Sequence, residues 1–254
     1  VPATFGQPSK KNAKDVIASI KLAVDHVTSG LARGMTTNPI QKNTLYSVGF
    51  NHPGHTEYLG ELNHSVTEPL MMLTSQELRV VPVSTHINLS DAIKLLNEEQ
   101  IIRKAVKTAE ALCQDFNIKN PHIAVAGLNP HAGEGGALGS EEIEIISPAI
   151  QKLKNKGLRI SGPYPPDVMF SGIIRQTYDA ALCMYHDQAL IPIKTLDFEG
   201  TVNVTLGLDF VRTSPDHGTA LDIAGKGMAS EKSLLAAINM AHQIANNRSL
   251  KHEM

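Results

Sequence analysis

The chain has 254 residues, 42% hydrophobic and 19% charged, with a formal net charge of −2 and eleven histidines. This composition fits a globular chain that buries a sizeable core, as one large domain or two small ones. The absence of a basic block, of Trp and of all but 4% aromatics argues against a nucleic-acid partner, and no apolar run reaches membrane-spanning length, so no membrane partner is expected.

Val1–Pro8 leads into a helix predicted over Ser9–Ser29, with Ser9 as its cap and Ile17, Ile20, Leu22, Val24 and Val27 as apolar positions. Ala32–Thr37 is a weak strand candidate, followed by a helical turn with Lys42 and a polar loop over Phe50–Glu57. Leu70–Leu73 and Leu78–Val83 are apolar runs, and helices are predicted over Leu89–Leu96 and Glu99–Phe116. Cys113 and Cys183 lie in apolar runs without a CxxC, as reduced core residues of a cytoplasmic protein do.

Ile123–Ala126 is a short β-rich run, stopped by Asn129–Pro130 because Pro cannot donate to a ladder. Gly133, Gly135, Gly136 and Gly139 follow, and Ser140-Glu141-Glu142 opens a helix with a cap and first-turn acids. After that helix, Gly162–Asp167 is a Pro-rich loop, Ala180–Tyr185 a buried strand, Thr201–Leu206 an alternating strand, and Asp209–Thr213 carries Arg212. Asp216–Asp222 enters a short helix, and a last helix spans about Glu231–Asn246. Strands alternating with helices make this an α/β chain with a largely parallel central sheet.

Three strand exits each deliver a histidine: His86 after Val80–Thr85, His131 after Ile123–Gly127, and His186 after Ala180–Tyr185. Parallel strands end on one sheet edge, so the three imidazoles can converge there. Three neutral nitrogens with an open fourth position suit zinc or a similar divalent ion. Glu134 and Asp187 stand beside two of them as acceptors for the other ring nitrogen. Lys194, Asn203 and Arg212 suit an anionic substrate, Arg as a bidentate fork and Lys as a point charge. His55 and Thr56 add an imidazole and a hydroxyl at a helix start. No GxGxxG, Walker A or GxSxG motif is present.

Gly127-Leu-Asn-Pro-His-Ala-Gly-Glu-Gly-Gly136, Met184-Tyr-His-Asp-Gln188, Asn203-Val-Thr-Leu-Gly207, Arg212-Thr-Ser and Asp216-His-Gly-Thr-Ala220 resemble the 4-hydroxythreonine-4-phosphate dehydrogenase (PdxA) family of pyridoxal phosphate biosynthesis. Pro53-Gly-His-Thr-Glu57 and Thr85-His86 match as well, and the resemblance runs from about Gly30 to the C-terminus. It implies a three-layer α/β/α fold like that of isocitrate and isopropylmalate dehydrogenases, with two interleaved subdomains around a central cleft over 1–254. It also implies a homodimer whose active site lies at the interface and uses residues of both subunits.

By the same resemblance, His86, His131 and His186 would bind a divalent metal (Zn, Co, Ni, Mn or Mg), and His55, Thr56, Lys194, Asn203 and Arg212 a phosphorylated substrate. The loop with His217, Gly218, Thr219, Ala220 and Asp222 looks like the adenosine-binding loop of those dehydrogenases and would take NAD or NADP. Asp167, Asp187 and Lys194 are the candidates for the general base. The implied reaction oxidises 4-phosphooxy-L-threonine to a β-keto acid that then decarboxylates. The alternatives are a paralogue acting on threonate or erythronate 4-phosphate, and a non-catalytic binding remnant. Members of the family begin with a glycine-containing segment that has no counterpart here, so Val1 is read as entering the family partway along. Asn38 and Gln41 stand where some members have Gly and His.

Overall fold

The computed structural model describes residues 3–63 and 68–252; Val1, where the chain is read as entering the family, lies outside them. The first helix, α1 (Lys10–Thr28), is capped by Ser9, whose hydroxyl accepts from the Lys11 N–H. It buries Ala13, Ile20 and Val24, whereas Leu22 faces solvent despite its hydrophobicity. A two-residue strand, β1 (Met35–Thr36), and two helices, α2 (Lys42–Tyr46) and α3 (His55–Leu62), complete this region. Their side chains form a separate hydrophobic cluster around Leu45, Phe50, Tyr58, Leu59 and Phe210.

Strands β2 (Leu70–Thr74) and β3 (Arg79–Pro82) form a hairpin, then come helices α4 (Leu89–Lys94) and α5 (Glu98–Asp115). Strand β4 (Ile123–Ala126) leads through a glycine loop to α6 (Ser147–Asn155), which is preceded by one π-helical turn over Glu142–Ile146. Ile160–Tyr164, part of which falls in the expected Pro-rich loop, is an edge strand, β5. An edge tolerates Pro163 because one side of the strand needs no ladder donor. Short helices α7 (Pro166–Met169) and α8 (Gly172–Arg175) precede β6 (Ala180–Cys183) and α9 (His186–Leu196), and the chain ends with β7 (Val202–Leu206), β8 (Arg212–Pro215) and α10 (Lys232–His252).

All eight strands lie in one sheet, in the order β1-β8-β7-β2-β3-β6-β4-β5. The sheet is mixed rather than largely parallel. Strands β3, β6, β4 and β5 run parallel, but β2 is antiparallel to both β3 and β7, and β7 to β8. The β2–β3 and β7–β8 reversals follow from short connections, since a parallel neighbour needs a crossover of a dozen or more residues, whereas β2 and β7 meet from distant parts of the chain. At Ser75–Leu78, for example, the Ser75 hydroxyl accepts from the Glu77 and Leu78 N–H groups.

The central strands bury both faces, so their side chains split by parity. Ile123, Val125, Ala180 and Leu182 pack in one cluster with α5, α6 and α10, while Ala124, Ala126, Ala181 and Cys183 pack on the other face with Met169, Ala189 and Ile193. The result is the expected three-layer α/β/α arrangement. Cys183 is buried as expected of a core residue, whereas Cys113 is half-buried. Among the described residues no helix is long and apolar enough to cross a membrane.

The glycine loop after β4 makes a left-handed turn in which His131, Ala132, Gly133, Glu134 and Gly135 all have φ between 44° and 81°. Such a run is costly for L-residues and needs outside support. Glu142 supplies it. Expected among the acids of the helix's first turn, it is buried, with one carboxylate oxygen accepting from both the Leu128 and Asn129 N–H groups at 2.7 Å and the other from Asn129 Nδ2 at 2.9 Å. These bonds outweigh burial and hold its pKa below the usual glutamate value. A Cβ on Gly133 would stand 2.7 Å from Glu142 Oε2, so only glycine fits there. Replacing Glu142 with Ala leaves the Leu128 and Asn129 N–H groups without their acceptor, with Asn129 Nδ2 keeping only Glu141, and should lower stability by about 3 kcal/mol. Urea unfolding would read this as a shifted midpoint at unchanged slope, with hydrogen exchange accelerating at Leu128 and Asn129.

Candidate active site

Strands β3, β6 and β4 are parallel neighbours, so their carboxyl ends share one edge of the sheet. His86 and His186 meet there, with ring centroids 5.9 Å apart. His186 is the first residue of α9, and its Nδ1 lies 2.7 Å from Asp187 Oδ1, the acceptor expected from their adjacency. His86 takes a left-handed φ of 44°. Its pKa is lowered, chiefly by burial and then by Lys42, with Glu57 opposing, which favours the neutral imidazole a metal requires.

His131 does not join this pair. It is exposed on the left-handed turn after β4, and among the described residues no three His, Cys, Asp or Glu side chains are placed to hold a metal ion. Two of the three expected ligands are therefore together in one chain, and the third points elsewhere. Gln188 connects the two strand exits: its Oε1 accepts from the Met184 N–H, and its Nε2 donates to the Gly127 carbonyl at 2.8 Å.

The histidine pair borders a cavity of about 300 Å³ that also receives His55, Thr56, Asn203 and Arg212. Four of the five residues expected to bind substrate thus line one space. The fifth, Lys194, is not in its wall but forms an ion pair at 2.8 Å with Asp216, which is. Arg212 is almost fully buried. Its Nε and Nη2 donate to the Thr37 hydroxyl and its Nη1 donates to Thr205. Burial pulls its pKa down to about 10 against the opposing charge of Glu57, so it remains a cation at neutral pH, oriented by hydroxyls. Asp187 lies in a neighbouring cavity beside both histidines, and Asp167 is exposed at the start of α7, outside the walls of either.

Several residues of this site carry no clear signal in the sequence. Thr37 and Thr205 are ordinary threonines until the β1-β8-β7 pairing brings them to Arg212. Lys42 and Glu57 enter with α2 and α3, although Glu57, Thr205 and Asp216 do fall inside motif segments. Among the described residues, five buried side-chain polar atoms lack a hydrogen-bond partner, and Glu57 Oε2, Asn203 Oδ1 and Asp216 Oδ2 all belong to this cavity. Asp216 Oδ2 faces Lys194 as an ion pair without hydrogen-bond alignment, the ammonium donating instead to the Asp216 carbonyl. Orphaned polar atoms gathered in one concavity mark a place where a ligand supplies the missing partners.

A second cavity of about 590 Å³ adjoins the first through Asn38, Pro39, Ile40, His217 and Gly218. Thr219 and Ala220 line it, as does the N-terminal segment around Gln7, Ser9 and Asn12, whose Oδ1 is another orphan. Asp222 is exposed and lies off this wall.

His55 provides a pH test of the site. Burial first, and then Arg212 and Lys42, lower its pKa from 6.5 to about 4. Between those values the unfolded chain binds a proton that the folded chain does not, so stability should fall as pH drops through this window. His55→Gln should flatten that part of the stability profile, and the ring proton signals of His55 should not titrate until well below pH 6. A wild-type profile with the same slope as the variant would show that His55 titrates normally.

The family model described as pyridoxal phosphate biosynthetic protein PdxA matches residues 1–241. A 4-hydroxythreonine-4-phosphate dehydrogenase of Bradyrhizobium diazoefficiens is 53% identical over 243 residues, covering 94% of this chain and 70% of that protein. One of Caulobacter vibrioides is 50% identical over 254 residues, covering 98% and 76%. The crystal structure of the Klebsiella pneumoniae 4-hydroxythreonine-4-phosphate dehydrogenase superposes with a TM-score of 0.86 at 39% identity, covering 94% of this chain and 73% of that one. A terephthalate 1,2-cis-dihydrodiol dehydrogenase of Burkholderia xenovorans has the same fold at a TM-score of 0.69 and 26% identity, covering 96% and 78%. With nearly its whole length matched, and with the histidine pair and the Arg212 cavity formed by the shared motifs, the chain belongs to the PdxA family.

Proposed function

We propose that the chain is an oxidoreductase that oxidises the secondary alcohol of 4-phosphooxy-L-threonine with NAD or NADP. The product is a β-keto acid that loses CO2 to give 3-amino-2-oxopropyl phosphate, in the pyridoxal phosphate pathway of the cytoplasm. The observation that carries this reading is one cavity in which a buried, hydroxyl-oriented Arg212 faces a pair of imidazoles. Membership of a family whose relatives bear the name of that activity supports it.

Arg212, with Lys194 behind Asp216 and Thr56 at the start of α3, would hold the phosphate or carboxylate, so that remote binding energy aligns the reacting carbon. Asn203 and His55 would complete the polar wall. A divalent metal held there would supply Lewis acidity towards the alcohol and the charge left by CO2 loss, and a nicotinamide in the larger cavity would supply the hydride acceptor. His86 and His186 fit such an ion, since they face each other on adjacent strand exits. Asp187 would orient His186 through Nδ1. Asp187, Lys194 and Asp167 remain the candidates for moving the alcohol proton, Asp167 standing farthest from the cavity walls. The larger cavity, with His217, Gly218, Thr219 and Ala220, would take the dinucleotide, Asp222 lying at its margin. The two interleaved subdomains of 1–254 would flank the smaller cavity, one around the cluster of α1, α2 and α3.

His131 completes the metal set in this reading by reaching the pair of a second copy. Its exposure on a turn pinned by Glu142 suits that role, and it makes a two-fold dimer part of the active site. His131→Ala should lower kcat at least about a hundredfold. The decisive form of the experiment pairs it with His86→Ala: two inactive variants, co-expressed, should regain roughly a quarter of wild-type activity, because half of the dimers are hybrids and each hybrid keeps one intact site. No recovery would mean that all three histidines act within one chain. Arg212→Lys, which keeps the charge but loses the fork, should raise KM for the phosphorylated substrate about tenfold or more. Formation of NADH from 4-phosphooxythreonine, measured beside threonate and erythronate 4-phosphate, tests the reaction itself.

A further inference from the structure

The cavity contains more acceptors than an anionic substrate needs. Arg212 and Lys42 in its wall, with Lys194 behind Asp216, suffice for phosphate and carboxylate, yet Glu57 Oε2, in the same wall, is buried without a hydrogen-bond partner. A buried carboxylate oxygen left in this state is expensive unless a cation or donor meets it. Glu57 is the third residue of α3, where a glutamate commonly reaches back to the N-cap N–H. Here Oε2 makes no such bond. A Cβ on Gly54 would stand 3.3 Å from that oxygen and 3.7 Å from Lys42 Nζ, so the absence of a side chain keeps this end of the cavity open around both charges. The other acidic residue of the wall, Asp216, is already opposite Lys194. Glu57 lines the same cavity as His86 and Arg212 and acts electrostatically on both, favouring their protonated forms.

We propose that Glu57 is the specificity-determining residue of this site, its free Oε2 receiving the primary ammonium of a phosphorylated hydroxy amino acid. The inference rests on the reading of the cavity as a substrate site. It separates the two substrate classes that the anion anchors alone cannot, because an α-amino acid brings a cation to Glu57 where a sugar acid brings a neutral hydroxyl. Asn203 Oδ1, the second orphaned acceptor, suits a hydroxyl donor of either substrate.

The test is calorimetric titration of the full chain, without turnover, using 4-phosphooxythreonine and its 2-hydroxy counterpart, threonate 4-phosphate. Wild type should bind the amine-bearing acid more tightly. Glu57→Gln should weaken that acid roughly 10- to 100-fold, the range for a hydrogen bond between charged groups, while changing the hydroxy acid by less than about threefold. Glu57→Asp, which keeps the charge but withdraws it by one methylene, should narrow the preference without abolishing it, and it carries the test if Glu57→Gln fails to fold. Equal losses for both acids, or no loss for either, would overturn the assignment while leaving the substrate cavity standing. A wild-type chain that binds neither acid would overturn both.

Discussion

The buried carboxylate of Glu142 sets the geometry of the loop on which the rest of the site depends. A run of five residues at positive φ is unfavourable for any sequence with side chains, and this one includes His131, Ala132 and Glu134. Glu142 holds the turn by satisfying the N–H groups at its entry, and the glycines admit the carboxylate at close range. Gln188 then links the Gly127 carbonyl to the start of α9. The β4 exit and the β6 exit are thereby locked to each other, so the positions of His131 and His186 are not independent. The cost of the strained turn is offset by the hydrogen bonds that Glu142 accepts at its entry.

The electrostatics of the cavity follow from a different constraint. Arg212 is buried with no ion-paired carboxylate among the described residues and is oriented by two threonine hydroxyls from β7 and the β1 segment. A cation held by neutral acceptors keeps its field available to an incoming anion, whereas a salt-bridged one would first have to be released. The same field keeps His55 neutral and adds to the burial that depresses it. His86 is depressed in turn by Lys42. Cationic anchors and neutral imidazoles are therefore consistent with each other in one small space, and the arrangement suits a substrate that brings negative charge and an ion that needs unprotonated nitrogen.

Much of this architecture is legible in the sequence, for reasons that particular elements make plain. Ile123–Ala126 and Ala180–Cys183 are buried on both faces, and an uninterrupted apolar run records that directly. Ser9 and the periodic apolar residues after it mark α1 because capping and amphipathicity are local properties. The histidines at strand ends, Arg212 and the glycine loop could be named because strand exits are local as well. The mixed direction of the sheet was not legible. Whether β2 and β7 run with or against their neighbours depends on which strands meet, and β2 meets β7 across more than a hundred residues of chain. Leu22 was misread for a related reason: the helix face that is covered is chosen by what packs on it.

What the sequence determined by itself is the set of elements and the chemical inventory: an α/β chain with imidazoles, a guanidinium and a flexible loop at strand ends, in motifs specific enough to identify the PdxA family. Tertiary structure alone decided which of those groups share a space. It brought His86 to His186 and left His131 outside, made Glu142, a first-turn acid, the buried support of a loop, and set Thr37 and Thr205 on Arg212. It also left Glu57 Oε2 without a partner in the cavity. The physical reason is the same throughout. Propensity, capping and burial pattern act over a few residues of chain, but hydrogen-bond satisfaction and desolvation depend on neighbours that only long-range packing supplies.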